Sequence, residues 1–280
     1  MSGEPSAGRD YRPAVTQPPP PTPPALAFPT VDAHAHLDLL DAPVEEILAD
    51  AAAAGVERVV TVGYSLASSR WAVRAAEDHP QVVAAVAVHP NDAMDADDDT
   101  LAAIAALGAS PRVRAIGETG LDYYWKRTDP EVQRAVFRRH IDIAKQLHKP
   151  LVIHDRDAHE DVLRILEDVG APEFTVFHCF SGDLEMARTC VGRGYFLSFS
   201  GTATFKNAPG VREAAAWTPL DHLLVETDAP FLTPMPFRGR PNRPALVALT
   251  VRFLARLRGV EEEAVAESAA ATARRVFGEW

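Results

Sequence analysis

The sequence predicts an α/β fold, a (β/α)8 barrel of the TIM type over residues 28–280, preceded by a disordered proline-rich tail at 1–27. Three observations predict it. Eight short apolar runs rich in Val, Ile and Phe alternate with longer stretches of helical periodicity. Eight strand–helix units need about 250 residues, and the chain beyond the tail is of that length. Histidines and acids collect at the C-terminal ends of the runs rather than along them. An open doubly wound sheet is the runner-up, but it calls for a glycine-rich phosphate loop after the first strand, and none stands there.

Nine of the 23 prolines fall in the first 30 residues, and the run Pro18–Pro24 is broken only by Thr22. Such a run favours polyproline II and has almost nothing to bury, hence the disordered tail. The first strand is Val31–His36. Asp41, Pro43, Glu45 and Glu46 open a helix that Gly55 closes. Arg58–Val62 and Val82–Val88 are the second and third strands, followed by an irregular acidic connection from Asp92 to Asp99. Val113–Gly117 is the fourth. Asp129 before Pro130 is an N-cap with proline at the first helical position. In that helix Val132, Val136, Ile143 and Leu147 share one face. The remaining strands are Leu151–His154, Phe174–His178, Tyr195–Phe199 and Leu223–Glu226, and helices at 244–257 and 261–277 close the chain. No internal repeat is visible.

Composition removes several classes of function. The hydrophobic fraction of 47% supports a sizeable core. No stretch approaches the roughly 18 consecutive apolar residues of a membrane helix, so no membrane role is expected. The net charge is −11, and Glu4, Arg9, Asp10 and Arg12 cancel, so all of it lies beyond residue 27. That balance argues against broad charge-driven binding of nucleic acid but permits a local basic rim. Cys179 and Cys190 cannot make a disulfide scaffold, and no secretory signal opens the chain, so a cytoplasmic monomer is expected.

The chemistry is read from position. His34 and His36 end the first strand; His89 follows the third and Glu118 the fourth; His154 and His178 end the fifth and sixth; Asp228 follows the eighth. In a barrel these ends meet at one face. Alternation puts His34 and His36 on the same side, where two imidazoles can hold one ion. A lone His-x-His equally fits a hydrogen-bonded structural pair. Gathered together, however, His34, His36, Glu118, His154, His178 and Asp228 predict a metal site, because buried acids and imidazoles are costly unless paired or metal-bound. Mixed nitrogen and oxygen donors accept Mg, Mn, Zn or Fe, so metal identity is not readable. His79, His140, His148, His159 and His222 read as solvated, and alternation turns Cys179 away from the pocket. Ser181 lies near His178 but no nucleophile elbow surrounds it.

Five segments in order carry a family likeness: Val31-Asp-Ala-His-Ala-His-Leu-Asp38, Gly117-Glu-Thr-Gly-Leu-Asp-Tyr-Tyr124, Pro150-Leu-Val-Ile-His-Asp-Arg156, His178-Cys-Phe-Ser-Gly182 and Glu226-Thr-Asp-Ala-Pro230. From residue 30 to about 277 the chain resembles the TatD family of metal-dependent deoxyribonucleases. The resemblance implies one or two divalent ions, a first on His34, His36 and Asp228, a second on His154 and His178, with Glu118 bridging. It implies hydrolysis of DNA phosphodiesters, often from the 3′ end, with single strands or 3′ ends as partners. Two departures stand out: Thr119 where the family often has Ile, and Arg243 where it usually has Glu before the proline.

The expected mechanism is attack by a metal-bridging hydroxide, with Asp228 accepting the proton of the water and His89 touching the substrate phosphate. Lys126, Arg127, Arg156, Lys206, Arg238, Arg240 and Arg243 would form a basic rim, with Arg156, Arg238 and Arg240 as substrate contacts. Tyr123, Tyr124, Trp125, Phe180 and Phe205 would stack on bases, although Tyr123 and Phe180 equally suit packing. An amidohydrolase or other esterase on the same barrel is the alternative. Its fourth-strand ligand is commonly a carboxylated lysine, and no lysine lies between Arg112 and Lys126. A non-enzymatic nucleic-acid-binding scaffold would have no need of six ligand-competent residues.

Overall fold

The computed structural model describes residues 17–280; residues 1–16, the first part of the expected tail, lie outside the described residues. Eight parallel strands form one sheet in chain order: β1 (Thr30–Ala35), β2 (Val56–Val62), β3 (Val82–Val86), β4 (Val113–Asp122), β5 (Leu151–Arg156), β6 (Thr175–Phe177), β7 (Phe196–Phe199) and β8 (Leu223–Val225). Between them run α1 (Val44–Ala53), α2 (Leu66–Asp78), α3 (Asp98–Gly108), α4 (Pro130–Gln146), α5 (His159–Val169), α6 (Leu184–Gly192) and α7 (Pro209–Trp217), and α8 (Val247–Arg258) and α9 (Glu262–Phe277) follow β8. This is the TIM barrel the pattern predicts. The seam between β1 and β8 is joined by few bonds. Ala35 bridges Ala229, the Asp228 N–H donates to His34 O at 2.9 Å, and the His36 N–H donates to Ala229 O at 2.8 Å. Below them the Asp32 carboxylate accepts from the Thr227 N–H at 2.8 Å and from its hydroxyl.

Strand alternation divides the core in two. Val59, Val82, Ala84, Ile116, Leu151, Ile153, Phe177, Leu197, Leu223 and Val225 pack outward against Ile47, Val73, Ile104, Phe137, Ile165 and Leu254 of the helices. The intervening residues Val60, Val62, Val83, Ala85, Ala115, Val152, Val176, Phe196 and Leu224 fill the lumen, where Ala270, Ala273, Val276 and Phe277 of α9 join them. Continued in steps of two, the inward face of β5, β6 and β8 reaches His154, His178, Glu226 and Asp228. Two irregularities invert the count elsewhere. The β1–β2 register shifts between Asp32 and Ala35, and the β4–β5 register shifts between Ile116 and Thr119. They turn His34, His36 and Glu118 to the inside and leave Ala35 and Ile116 among the outer cluster.

Asp129 caps α4 by accepting the Glu131 N–H at 2.7 Å. The buried face of α4 runs through Val136, Phe137, His140, Ile141 and Ala144, rotated from the expected line, and Val132 and Leu147 are only half-buried. Here one expectation is corrected: His140 is not solvated but fully buried. Its Nε2 accepts the Val88 N–H at 3.2 Å while Nδ1 donates to Val136 O at 3.0 Å. Burial withholds water from the charge, and the Arg139 guanidinium opposes it further, so the pKa falls from 6.5 to about 4. The unfolded chain therefore binds more protons between those values, and stability present above the higher one is lost as pH falls through the window. Its share is about 3 kcal/mol. A His140→Gln variant should lose stability less steeply across that window in denaturant titrations; a slope as steep as that of the parent protein would refute the assignment.

The described part of the tail also departs from expectation. Residues 17–27 lie along the barrel instead of extending into solvent, with Pro20, Pro23 and Leu26 buried. Proline carbonyls have two lone pairs and no neighbouring N–H to compete for them, and arginines take them. Arg240 donates to Pro18 O at 2.8 Å and Pro19 O at 2.7 Å, Arg243 to Pro20 O at 2.7 Å, and Arg252 to Pro24 O and Ala25 O at 3.0 Å each. Arg243 also pairs with Asp50, which gives a structural use to the residue that departs from the family pattern.

Candidate metal centre

The six predicted ligands come together at the C-terminal end of the barrel, on the floor of a cup of about 520 Å³. Glu118 is central. Its Oε1 lies 3.3 Å from His36 Nε2 and 3.9 Å from His34 Nε2, beside Asp228 Oδ1, which is 3.5 Å and 3.8 Å from the same nitrogens. Its Oε2 faces the other way, 2.8 Å from His178 Nε2 and 3.3 Å from His154 Nδ1. One carboxylate thus addresses two donor sets. The approach of β4 to β5 that permits this depends on Gly120, paired with His154 at φ +141°, where a Cβ would meet the His154 carbonyl oxygen at 2.2 Å.

Outer partners fix which nitrogen each imidazole offers. His36 Nδ1 donates to Val62 O at 2.9 Å, leaving Nε2 for the cup. His178 Nδ1 faces Glu226 Oε1 at 3.3 Å, so Nε2 again points to Glu118. His154 is reversed: Nε2 donates to Asp122 Oδ2 at 3.1 Å and Nδ1 faces the centre. His34 is stacked on His178, centroids 3.9 Å apart, and neither of its buried nitrogens has a hydrogen-bond partner among the described residues. His89 differs from all four. Its Nδ1 accepts the Asn91 N–H at 3.1 Å, so in the neutral ring the proton sits on Nε2, 3.3 Å from His154 Nδ1. It enters the cup as a donor, not as a ligand.

The electrostatics follow from this crowding. Burial lowers the pKa of His34, and the neighbouring His178 lowers it further. Burial also opposes charge on His36, but Asp228 and Glu118 outweigh it and hold that imidazole up at about 10. His89 falls to about 3 through burial and the nearby His154. Glu118 stays ionised despite burial, because His178 and His89 favour its charge. Buried carboxylates crowded by preset imidazoles, one of them without another partner among the described residues, fit a divalent cation that would take the place of the shared protons. His34, His36, Glu118 and Asp228 would hold one ion, and Glu118, His154 and His178 a second.

Asp122 and Glu226 escape sequence reading as part of this centre, and both are at most 1% exposed. Asp122 holds His154 from behind and accepts Asn91 Nδ2 at 3.3 Å; it stays ionised, since bonds from His154 and the Trp125 N–H outweigh burial and set its pKa near about 2. The signal for Glu226 was present: the alternation that joins His34 to His36 also joins Glu226 to Asp228. An Asp122→Asn substitution should weaken the second ion about 10- to 100-fold while the first stays bound. Titration of the apo protein against a chelator of known affinity measures this, and two unchanged sites would refute the orienting role.

The remaining candidates divide. Arg156 and Arg127 line the cup. Phe180 does not: it is 2% exposed and packs on Phe199. The Tyr123 hydroxyl bonds Asp161 at 2.6 Å and Arg134 at 2.8 Å, away from the cup. Arg240 is occupied with the proline segment, and Arg238 lies over the Phe205 ring at 4.1 Å and reaches Asn207. Both are therefore corrected as direct contacts: neither side chain lines the cup. Cys179 is corrected as well. The left-handed backbone of Cys179, at φ +42°, breaks the alternation that carries on from β6 to His178, and the residue lines the cup with Sγ 3.3 Å from Ser200 Oγ. Ser181 donates to Asp155 O at 3.0 Å and has no imidazole partner among the described residues.

Barrel and donor set together define a metal-dependent hydrolase. The family model for TatD related DNase matches residues 31–278. The chain is 49% identical over 257 residues to an uncharacterized metal-dependent hydrolase TatD of Mycobacterium tuberculosis, covering 89% of this chain and 97% of the relative. It is 34% identical over 240 residues to the 3′-5′ ssDNA/RNA exonuclease TatD of Citrobacter rodentium, covering 84% and 91%. The crystal structure of YJJV, a TatD homologue from Escherichia coli, superposes with a TM-score of 0.85 at 29% identity, covering 90% of this chain and 98% of that one. The chain belongs to the TatD family of metal-dependent hydrolases.

Proposed function

We propose that the protein is a deoxyribonuclease that hydrolyses phosphodiester bonds from the 3′ end of single-stranded DNA. The observation that carries this reading is Glu118, whose two oxygens face separate donor sets on one floor. Divalent ions, of Mg, Mn or Zn type, supply a water of lowered pKa and positive charge for the phosphate oxygens when bound there. Asp228, at the mouth of the first set, takes the proton from the attacking water. His89 donates its Nε2–H to a non-bridging oxygen of the phosphate as charge grows on it. The relative named as a 3′-5′ ssDNA/RNA exonuclease supports the direction and the strand preference. A cytoplasmic setting suits the two free cysteines.

The test is a panel of Mg, Mn and Zn added to the apo protein, against single-stranded DNA, duplex DNA, RNA and simple carboxylic esters. Single strands should shorten from the 3′ end, releasing a 3′ label at once and a 5′ label last. Turnover of simple esters with every phosphodiester intact would overturn the reading in favour of another esterase.

A further inference from the structure

We propose that Tyr124 and Trp125, with Arg127 and Arg156, form a stacking subsite for one base of a single-stranded nucleic acid beside the phosphate under attack. This rests on the phosphodiesterase reading above and names what the wall of the cup recognises. Tyr124 is 52% exposed and Trp125 50%, and their rings meet edge to face 5.1 Å apart. Trp125, Arg127 and Arg156 line the same cup as Glu118 and His89. The Arg156 guanidinium lies 3.9 Å from the Tyr124 centroid and 5.5 Å from that of Trp125, and Arg127 lies 5.2 Å from the indole.

The platform is exposed yet built. The Asp122 carboxylate accepts the N–H of Tyr124 and of Trp125, at 3.0 Å each. Gln133 grips the backbone of the same loop, accepting the Asp122 N–H at 2.8 Å and donating to Asp122 O at 2.9 Å and Thr128 O at 3.1 Å. The Thr128 hydroxyl closes the far end on Asn91 O at 3.0 Å. The backbone that carries the two rings is thus fixed, so covering them with a flat partner costs side-chain freedom and little loop entropy. Every base offers a π-face, and guanidinium planes beside an aromatic ring suit both that face and the adjoining phosphates. Bases inside a duplex present no free face, so the platform selects splayed strands.

The test compares Trp125→Ala and Trp125→Phe with the parent, all metal-loaded. The probes are an end-labelled phosphorothioate oligothymidylate, which resists hydrolysis, and a duplex of equal length. Trp125→Ala should weaken single-strand binding about tenfold, the worth of one stacked base. Trp125→Phe should recover most of that loss, and duplex binding should be unmoved in both. Unchanged single-strand affinity, or equal loss on strand and duplex, overturns the subsite. Tight Trp125-dependent binding without cleavage of natural DNA would uphold the subsite while the nuclease reading fails. Cleavage of DNA by a parent whose affinity Trp125→Ala leaves intact would do the reverse.

Discussion

Replacing Glu118 with Ala is expected to empty both ion positions together and to abolish hydrolysis. Both of its oxygens are engaged, Oε1 toward His36 and His34, and Oε2 toward His178 and His154. Glu226 also neighbours one imidazole of each set, His34 and His178, but its Oε1 is taken by His178 Nδ1 at 3.3 Å and the Cys179 N–H at 2.6 Å. Losing one preorganised electrostatic group commonly costs about 10²–10³ in rate, and here ions leave with it, so the fall should exceed about 10³. The strand itself should survive, because pairing of β4 with β5 is a backbone property on either side of Glu118. Metal analysis of the purified variant, beside its far-ultraviolet circular dichroism, measures both halves of the claim. A folded variant that retains both ions refutes the bridging role whatever its turnover.

Asp228→Asn should separate ion binding from proton transfer. Asp228 sits at φ +57°, a left-handed conformation that Asn adopts as readily as Asp. The substitution thus preserves the turn in which the Phe231 N–H donates to Asp228 O at 2.8 Å. An amide oxygen can still approach an ion, but it is a poor base. The expected result is a loss of about 10²–10⁴ in kcat, the usual worth of a positioned base, with the His154–His178 position still filled. Near-normal kcat would assign the proton to another group. Loss of both ions would make Asp228 a structural ligand first.

The barrel is legible because its strands are runs of Val, Ile and Leu whose outward face meets helices. The ligands on β5, β6 and β8 are legible for the same reason, since a step of two from Val152, Val176 or Leu224 reaches an imidazole or an acid. Alternation fails at His34, His36 and Glu118, where shifts of register reverse inside and outside. Strand ends and family motifs reveal those residues; periodicity does not. Asp122 is hidden because β4 runs five residues past its apolar stretch, held by pairing with β5 through Arg156. No local pattern announces a strand that continues through Glu-Thr-Gly. The prolines mislead in the opposite sense. Their composition offers little to bury, yet Pro20 and Pro23 are buried and arginines far along the chain bind the segment's carbonyls, and no window of sequence contains both partners.

The join between β1 and β8 brings His34 and His36 beside Asp228, residues separated by nearly two hundred positions. An ion bound there would fasten the earliest strand to the latest. Neither half of the chain could grip it alone during synthesis, so loading would wait until the final strand had emerged and the ring had shut. Occupancy would then report completion, and whatever affinity the ion had for the finished protein would add to the cohesion of its two ends.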